Sequence, residues 1–560
     1  MDFKKELEKE LGNILNIDLD NTIEIPSNIE MGDFAFPCFR LAKELKKAPN
    51  LIAEEVLEKI PNLEYIKKKE IKGAYINFFV DESFYAKATL SEILLDPENY
   101  GKSTVGKGRK IIIDYSAPNI AKPFHVGHLR STVIGNALYN IYNELGYISY
   151  GINYLGDWGT QFGKLMVAYE KWGDKKAIEE KGVPELNRIY VKFHEEAEKD
   201  DSLNDEARNA FMRMQNGDEE ALGLWKWFKD LSLIDLEKTY NKLDMKFDSY
   251  RGESYYNDKM TPVVEELKEK SLLKESNGAQ IVDLEEYNMP PCLILRSDGG
   301  TLYPTRDLAA VKNRKEEFDF HKCIYVTAVA QKLHFDQWFK VIELMGYPWH
   351  KDLLHVGFGL VSLDNGKLST RKGHVILMDD ILNESIAKTL EIINNNNSDL
   401  ENKEEVAKEV GIGAVIFNDL YNSRIKDVVF SWDRILNFEG ETGPYVQYTH
   451  ARCASILNKI GDTKKEVDYS VLKDSSTLEV LKLLKEYPEK IIDSANKNEP
   501  YIISRHLVNI AQAFNRFYHE NKVNVEDEKI RNARGAVVFA TKTILKSGLS
   551  LLGIKSPEKM

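Results

Sequence analysis

The stretch Lys110–Arg130, with the sequence KIIIDYSAPNIAKPFHVGHLR, decides the predicted fold of the 560-residue chain. Its first part, Lys110–Ser116, is a short apolar run bounded by turn residues, which predicts a buried strand. A turn follows, and a helix is predicted to begin near Gly127. Strand, loop and helix in this order form the first unit of a doubly wound parallel sheet, so the sequence predicts an α/β domain.

Two histidines lie at the predicted start of that helix. His125 and His128 flank Gly127, and a glycine lets a ligand approach the backbone closely. A helix N-terminus offers unpaired N–H groups and partial positive charge to a phosphate. Imidazole N–H groups can stabilise oxygens that gain charge during phosphoryl or adenylyl transfer. Histidines with this spacing also serve in packing, capping or metal binding, so the pattern alone leaves those alternatives open.

The rest of the chain supplies further predicted elements around this unit. A helix is predicted at Leu41–Ile60 and a strand at Ile71–Val80, and residues 96–109 have the composition of a linker. Residues 170–290 are highly charged, include a long helical stretch at Leu222–Leu243 and interrupt the α/β alternation, which indicates an insertion. Further strands are predicted at Cys292–Arg296, Cys323–Val329 and Leu354–Leu363, and from about residue 377 onward the apolar residues repeat at helical spacing.

Composition limits the classes of function. Hydrophobic residues make up 43% and charged residues 29% of the chain, as in globular proteins. Because we find no apolar membrane-spanning run and no apolar signal region, we expect a cytoplasmic protein without membrane attachment. The four cysteines lack metal-ligand spacing, which predicts reduced thiols and no structural metal. The net charge of −13 argues against broad nucleic-acid binding, but residues 501–560 hold ten Lys/Arg against five Asp/Glu.

Two signatures identify a family. His125–His128 resembles the HIGH signature of class I aminoacyl-tRNA synthetases, and Gly366–Gly373 (GKLSTRKG) resembles their KMSKS loop, whose lysines act on the phosphates of ATP. Thr370 stands where the loop usually has its second lysine. In the arginyl branch a lysine just before the HIGH segment substitutes for it, and Lys122 fits that position, with Lys372 as the alternative.

Three further stretches are similar to arginyl-tRNA synthetases: GDWGTQFG at 156–163, LYPTRDLA at 302–309 and QKLHFDQ at 331–337. A guanidinium presents five N–H donors in one plane, so its site needs carboxylates that accept paired hydrogen bonds. Considered singly, Asp307 could cap a helix and Tyr303 could pack in a core. The resemblance implies that arginine is contacted by Asp114, Asn119, Tyr303, Asp307 and Gln331.

The resemblance also implies a domain plan and a catalytic set. We expect an N-terminal tRNA-contacting α+β domain at 1–100, and a Rossmann-like parallel-sheet catalytic domain at 109–376 with an insertion at roughly 170–290. A helical connection at 377–440 and an all-α anticodon-binding bundle at 441–560 are expected to follow. ATP with Mg²⁺ would be bound by His125, Gly127, His128, Lys367 and Ser369, and the catalytic residues would be Lys122, His125, His128 and Lys367.

The implied partners are tRNA(Arg), L-arginine and ATP, and a monomer is expected. Exposed aromatic residues beside arginines suit stacking on unpaired bases, although aromatic residues in helical bundles also belong to the core. By resemblance, the tRNA-contacting residues are Asn77, Phe79, Tyr445, Tyr448, Arg452, Tyr518 and Met560.

Three alternatives remain at this point. A different class I enzyme, such as the glutaminyl or cysteinyl type, has the same signatures, but the cysteine spacing gives no zinc site for the latter. A non-catalytic tRNA-binding protein would not need His125, His128 and Lys367. A phosphate-binding loop ending in Gly101–Thr104 lacks its first glycine, because Asp96 occupies that position.

Overall fold

The structure is a computed structural model, and it describes residues 3–20, 22–26, 28–297, 299–363, 377–461 and 466–560. The chain forms two compact units, and each of them is assembled from separate segments of the sequence. The first comprises residues 1–100, 452–487 and 509–544, and the second comprises residues 101–451, 488–508 and 545–560.

Among the described residues, most of the strands lie in the first two thirds of the chain, and the last third is almost wholly helical. The strands are β1 (Phe34–Pro37), β2 (Ile66–Lys72), β3 (Tyr75–Val80), β4 (Lys110–Asp114), β5 (Ile148–Ile152), β6 (Leu273–Ser276), β7 (Ala279–Val282), β8 (Cys292–Leu295), β9 (Lys322–Ala328), β10 (Leu353–Phe358), β11 (Val361–Leu363) and β12 (Val428–Phe430). The helices are α1 (Phe3–Leu15), α2 (Ala42–Leu45), α3 (Pro49–Lys59), α4 (Glu82–Leu95), α5 (Leu129–Glu144), α6 (Thr160–Trp172), α7 (Lys175–Lys181), α8 (Val183–Ala197), α9 (Ser202–Gln215), α10 (Glu219–Lys242), α11 (Met260–Glu269), α12 (Tyr303–Phe318), α13 (Lys332–Leu344), α14 (Met378–Asn396), α15 (Lys403–Leu420), α16 (Trp432–Ile435), α17 (Gly443–Ile460), α18 (Ser475–Lys497), α19 (Tyr501–Glu520) and α20 (Glu528–Leu551).

In the first unit, an antiparallel sheet in the order β1-β3-β2 packs against α1 and α3. Ile76 and Phe78 of β3 are fully buried in that core. The predicted single strand at Ile71–Val80 is wrong, because a turn at Gly73 with φ of +64° makes it the end of one strand and the start of the next. The predicted helix at Leu41–Ile60 is likewise two helices, since Pro49 begins a new one.

The second unit is built on a parallel sheet in the order β10-β9-β4-β5. Helix α5 packs against β4, β5 and β9. The chain leaves β4 towards β5 on one side and leaves β9 towards β10 on the other, so the crevice between β4 and β9 is the topological switch point. Ligands of doubly wound sheets bind at the carboxyl ends of the strands at such a point. The predicted parallel-sheet α/β domain is confirmed.

The insertion is mostly helical and then ends in a small sheet. Helices α6 to α11 come between β5 and the antiparallel sheet β6-β7-β8. The strand predicted at Cys292–Arg296 is present as β8. It belongs to this small antiparallel sheet and not to the parallel sheet. The last third of the chain is helical as predicted, apart from β12, which pairs in parallel with β11. Among the described residues, no helix is long and apolar enough to cross a membrane.

Candidate active site

The loop between β4 and α5 holds three non-glycine residues in left-handed backbone conformations, each of which costs on the order of 1–3 kcal/mol. These residues are Ser116, Ala117 and Ala121, with φ of 70°, 46° and 59°. The backbone N–H groups of these residues donate hydrogen bonds of 2.9–3.1 Å to side chains. Ser116 donates to Ser131, Ala117 to Asn153 and Ala121 to Ser232. These three hydrogen bonds therefore hold the backbone of the loop at Ser116, Ala117 and Ala121.

The two histidines lie where this loop becomes helical. The His125 Nδ1 atom accepts from the Gly127 N–H at 3.0 Å, and the His128 Nδ1 atom accepts from the His125 N–H at 3.3 Å. Because each Nδ1 is an acceptor, each neutral ring carries its proton on Nε2, where it can be donated. Burial lowers the pKa of His128 to about 3, and burial together with Lys122 lowers the pKa of His125. Both rings are therefore neutral hydrogen-bond donors at neutral pH.

A cavity of about 1080 Å³ opens beside these histidines, at the carboxyl ends of β4, β9 and β10. Its wall includes eight of the residues that sequence analysis assigned to ATP or arginine. They are Asp114, Asn119, His125, Gly127, His128, Tyr303, Asp307 and Gln331. Gly156 allows the close approach of Asn119, because a Cβ atom there would lie 2.1 Å from the Asn119 Oδ1 atom.

One face of α12 supplies a row of cavity residues. Tyr303, Asp307, Ala310 and Arg314 follow each other at spacings of four, three and four residues, so they lie along one side of the helix. Sequence analysis found Tyr303 and Asp307 but missed Arg314, although the spacing could have indicated it.

Two carboxylates of the cavity are partly free to meet a cation. Asp307 accepts from His334 Nε2 at 2.7 Å and keeps its second oxygen for another donor. Glu253, which sequence analysis missed, is 9% exposed and lies 3.4 Å from a guanidinium nitrogen of Arg306. Burial is the main cause that raises the pKa of Glu253 to about 7; Arg306 and the Trp158 N–H oppose the rise, while Asp307 and Asp157 add to it.

Asp114 was expected to contact the substrate arginine, but its carboxylate is already paired with a cation of the protein. It forms a buried ion pair with Arg314 at 2.8 Å, and both side chains are almost fully buried. The Arg314 guanidinium also lies 5.3 Å from the ring centroid of Tyr154 and 5.5 Å from that of Tyr325. Burial still raises the pKa of Asp114 to about 6 in spite of Arg314. The floor of the cavity thus already contains one paired guanidinium.

Lys122 is not among the residues that line the cavity. Its ammonium lies 5.8 Å from the ring centroid of Tyr190 on α8, and burial together with Lys164 lowers its pKa. Within the part of the chain that the structure describes, no carboxylate forms an ion pair with it.

The second signature lies outside the described residues, so the predictions for Lys367, Ser369, Thr370 and Lys372 stay predictions. The residues on both sides of it are placed at the cavity. Val361 and Ser362 line the wall, and Leu377 forms a β-bridge with His125. A buried ion pair between Arg130 and Asp419 at 2.7 Å supports this wall.

The residues predicted to contact tRNA differ in exposure. Asn77 is fully buried, so the structure gives no support for a surface contact there, whereas Phe79 is half-buried under Lys68. In the first unit, Tyr518 is exposed and its ring lies 5.7 Å from the Arg452 guanidinium.

In the second unit, Tyr448 is exposed and Tyr445 is half-buried. Met560 packs on the apolar cluster of α14 and α15.

Comparisons with known proteins agree along the whole chain. Three family models match: the arginyl tRNA synthetase N terminal domain over residues 1–80, the class I (R) tRNA synthetase catalytic domain over 89–432 and the DALR anticodon binding domain over 446–560. The arginine--tRNA ligases of Alkaliphilus metalliredigens and Halothermothrix orenii are 56% and 55% identical over 564 and 565 residues, with 100% of each chain covered. The solved arginyl-tRNA synthetase of Thermus thermophilus has a TM-score of 0.84 at 24% identity, with 100% of both chains covered, which shows a shared fold.

Proposed function

The chain belongs to the arginyl-tRNA synthetase family and charges tRNA with arginine for translation, and from this premise we propose that the cavity at the switch point is where arginine and ATP react. The alternative of another class I synthetase or of a non-catalytic relative is set aside by the family match. The roles of the individual residues around the cavity belong to the same proposal.

The arginine side chain is proposed to lie between Glu253 and Asp307. These two carboxylates face one cavity from different elements, and each has acceptor capacity beyond its present partner. A planar guanidinium suits two carboxylates better than the point charge of lysine does. Tyr303 would cover the side chain, while Asn119 and Gln331 would hold the α-amino and carboxyl groups. Asp114, which is already paired with Arg314, would form part of the buried wall of the site and would not contact the substrate guanidinium directly.

The ATP phosphates are proposed to lie at His125, Gly127 and His128. The neutral rings would donate Nε2–H to phosphate oxygens, and the start of the helix would add backbone N–H groups. Lys122, Lys367 and Ser369 are proposed to add further contacts. Lys122, whose ammonium lies 5.8 Å from the ring centroid of Tyr190, has no carboxylate partner among the described residues, so it is available to an incoming phosphate. Mg²⁺ would arrive with ATP, held mainly by phosphate oxygens.

The proposed reaction has two steps. A carboxylate oxygen of arginine attacks the α-phosphorus of ATP, and the bond to the pyrophosphate group breaks to leave arginyl-adenylate. A hydroxyl of the terminal ribose of tRNA then attacks the carbonyl carbon, and AMP leaves. Most of the acceleration would come from positioning and from charges directed at the phosphates.

The observation that carries these assignments is the paired placement of two carboxylates and two neutral histidines around one cavity. ATP–pyrophosphate exchange should be measured with each amino acid, with and without tRNA(Arg), together with transfer of tritiated arginine to tRNA. We expect exchange with arginine alone among the amino acids, and dependent on tRNA. Exchange with lysine or glutamine at a comparable rate would contradict the assigned pocket.

The tRNA is proposed to contact Phe79, Tyr445, Tyr448, Arg452, Tyr518 and Met560, and the protein is proposed to act as a cytoplasmic monomer. Light scattering of the purified chain at micromolar concentration tests the oligomeric state, since a mass near twice 64.2 kDa would contradict it.

A further inference from the structure

One face of α10, a helix of the insertion, contacts residues next to the active site at several positions along its length. The Trp225 Nε1 atom donates to the Asp157 carbonyl at 2.7 Å, and the Lys229 Nζ atom donates to the Asp157 carboxylate at 2.6 Å. Further along, Ser232 accepts from the Ala121 N–H at 2.9 Å, and the Tyr240 ring packs on Phe124. The contacting residues 225, 229, 232 and 240 follow helical spacing, so they form a single stripe.

Asp157 connects this face of α10 to the part of the cavity that is proposed to bind arginine. Its carboxylate is fully buried and accepts three hydrogen bonds, from Lys229 Nζ at 2.6 Å, from Ser254 Oγ at 2.7 Å and from the Ser254 N–H at 2.8 Å. Gly252 leaves room for this arrangement, because a Cβ atom there would lie 2.6 Å from the Asp157 carboxylate. The Asp157 carboxylate therefore links the turn 252–254 to α10.

Glu253 is the middle residue of that turn and lines the cavity. The bond from the Ser254 N–H to Asp157 holds the backbone directly after Glu253, and the bond from Ser254 Oγ reinforces it. Together they restrict the direction in which the Glu253 side chain leaves the backbone. A carboxylate that must meet a planar guanidinium depends strongly on direction, because paired hydrogen bonds require both oxygens to lie in the plane of the donors.

We propose that Lys229 and Asp157 are positioning residues that hold Glu253 towards the arginine side chain, so that the insertion helix α10 sets the affinity for arginine. The proposal rests on the proposed function, since it takes Glu253 as part of the arginine site. It gives the insertion a role in amino acid recognition, at a distance from the substrate itself.

The test compares two lysines of the same helix. Lys229→Met removes the ion pair, whereas Lys238→Met changes an exposed lysine on the other side of α10 and serves as the matched control. In steady-state aminoacylation we expect Lys229→Met to raise the KM for arginine about tenfold, with kcat within about threefold of the unchanged chain and an unchanged KM for ATP. Lys229→Arg should restore most of the lost affinity, because it keeps the charge next to Asp157.

The pH dependence of kcat/KM for arginine separates positioning from a general structural defect. The groups that face Glu253 are Arg306 and Asp307 from α12, and Asp157 and the Trp158 N–H from the loop before α6. Asp157→Asn removes a negative charge near Glu253 and should move the acidic limb to lower pH. Lys229→Met leaves the Asp157 charge uncompensated and should move the same limb to higher pH. Loss of packing alone would not produce shifts in opposite directions.

Equal arginine KM values for Lys229→Met and Lys238→Met would overturn the inference, as would shifts of the acidic limb in the same direction. If Lys229→Met does not fold, Ser254→Ala decides, since it removes only the Oγ contact and should raise the arginine KM about threefold. An unchanged chain that fails to charge tRNA with arginine would instead refute the proposed function.

Discussion

Lowering the pH from 8 to 6 protonates Glu253 and should weaken arginine binding. With a pKa of about 7, this carboxyl is ionised in about nine molecules of ten at pH 8 and in about one of ten at pH 6. If the guanidinium binds the ionised form, the arginine Kd should rise about tenfold over this range. At pH 7, binding should release about half a proton, because the bound cation keeps Glu253 charged.

Calorimetric titration of arginine in two buffers with different ionisation enthalpies measures that proton directly. Glu253→Gln is the control. It should weaken binding by about 1.5–3 kcal/mol, the range for hydrogen bonds to charged groups, and should abolish most of the proton release. Asp114, with a pKa of about 6, can contribute a smaller release that survives in this variant. Binding of arginine to the unchanged chain without any proton release between pH 6 and 8 would refute the reasoning.

The same carboxyl links pH to folding. Its pKa in the folded protein lies above the ordinary value of 4.5, so the protonated form is favoured by folding. The corresponding stability is present below pH 4.5 and is lost as the pH rises towards 7, by about 3 kcal/mol in total. Bound arginine should offset this loss, and we expect it to raise the melting temperature more at pH 8 than at pH 6.

Three further substitutions test other parts of the molecule. Asp307→Asn should lower kcat/KM for arginine at least ~10-fold through the loss of charge-assisted hydrogen bonds, and an unaffected value would remove Asp307 from the pocket. Lys122→Ala should slow adenylate formation in single-turnover experiments far more than it weakens arginine binding, and unchanged rates would contradict its role at the phosphates. Asp419→Asn should lower the free energy of unfolding by about 3–5 kcal/mol, because it leaves Arg130 buried without its partner, and the double variant Arg130→Met/Asp419→Leu should recover most of that loss in denaturant titrations.

Local patterns predicted the parallel sheet because its first strand is a continuous apolar run between turn residues, and they predicted the helical last third because its apolar residues repeat at helical spacing. The pattern failed where a single residue decides the outcome. Gly73 turns an apolar run into a hairpin, and the run at Cys292–Arg296 carries no sign of which sheet it joins. Sheet membership depends on contacts between distant parts of the chain, and these are absent from a local window.

The candidate site shows the same division. His125, His128, Tyr303 and Asp307 lie in recognisable segments, and the structure brings them to one cavity. Glu253 belongs to a short turn without periodicity, so only the folded chain reveals that it faces Asp307. The pairing of Asp114 with Arg314 could have been suspected from the spacing on α12, but the two residues are 200 positions apart in sequence.

The ion pair between Asp114 and Arg314 has a consequence for which molecules the pocket admits. The Arg314 guanidinium lines the same cavity in which arginine is proposed to bind, and it is already paired with the buried Asp114 carboxylate. A visiting side chain therefore meets positive charge if it reaches too far down. If arginine binds as proposed, Arg314 should limit how deeply a cationic side chain can enter, and it should discriminate against cationic amino acids with a longer side chain than arginine.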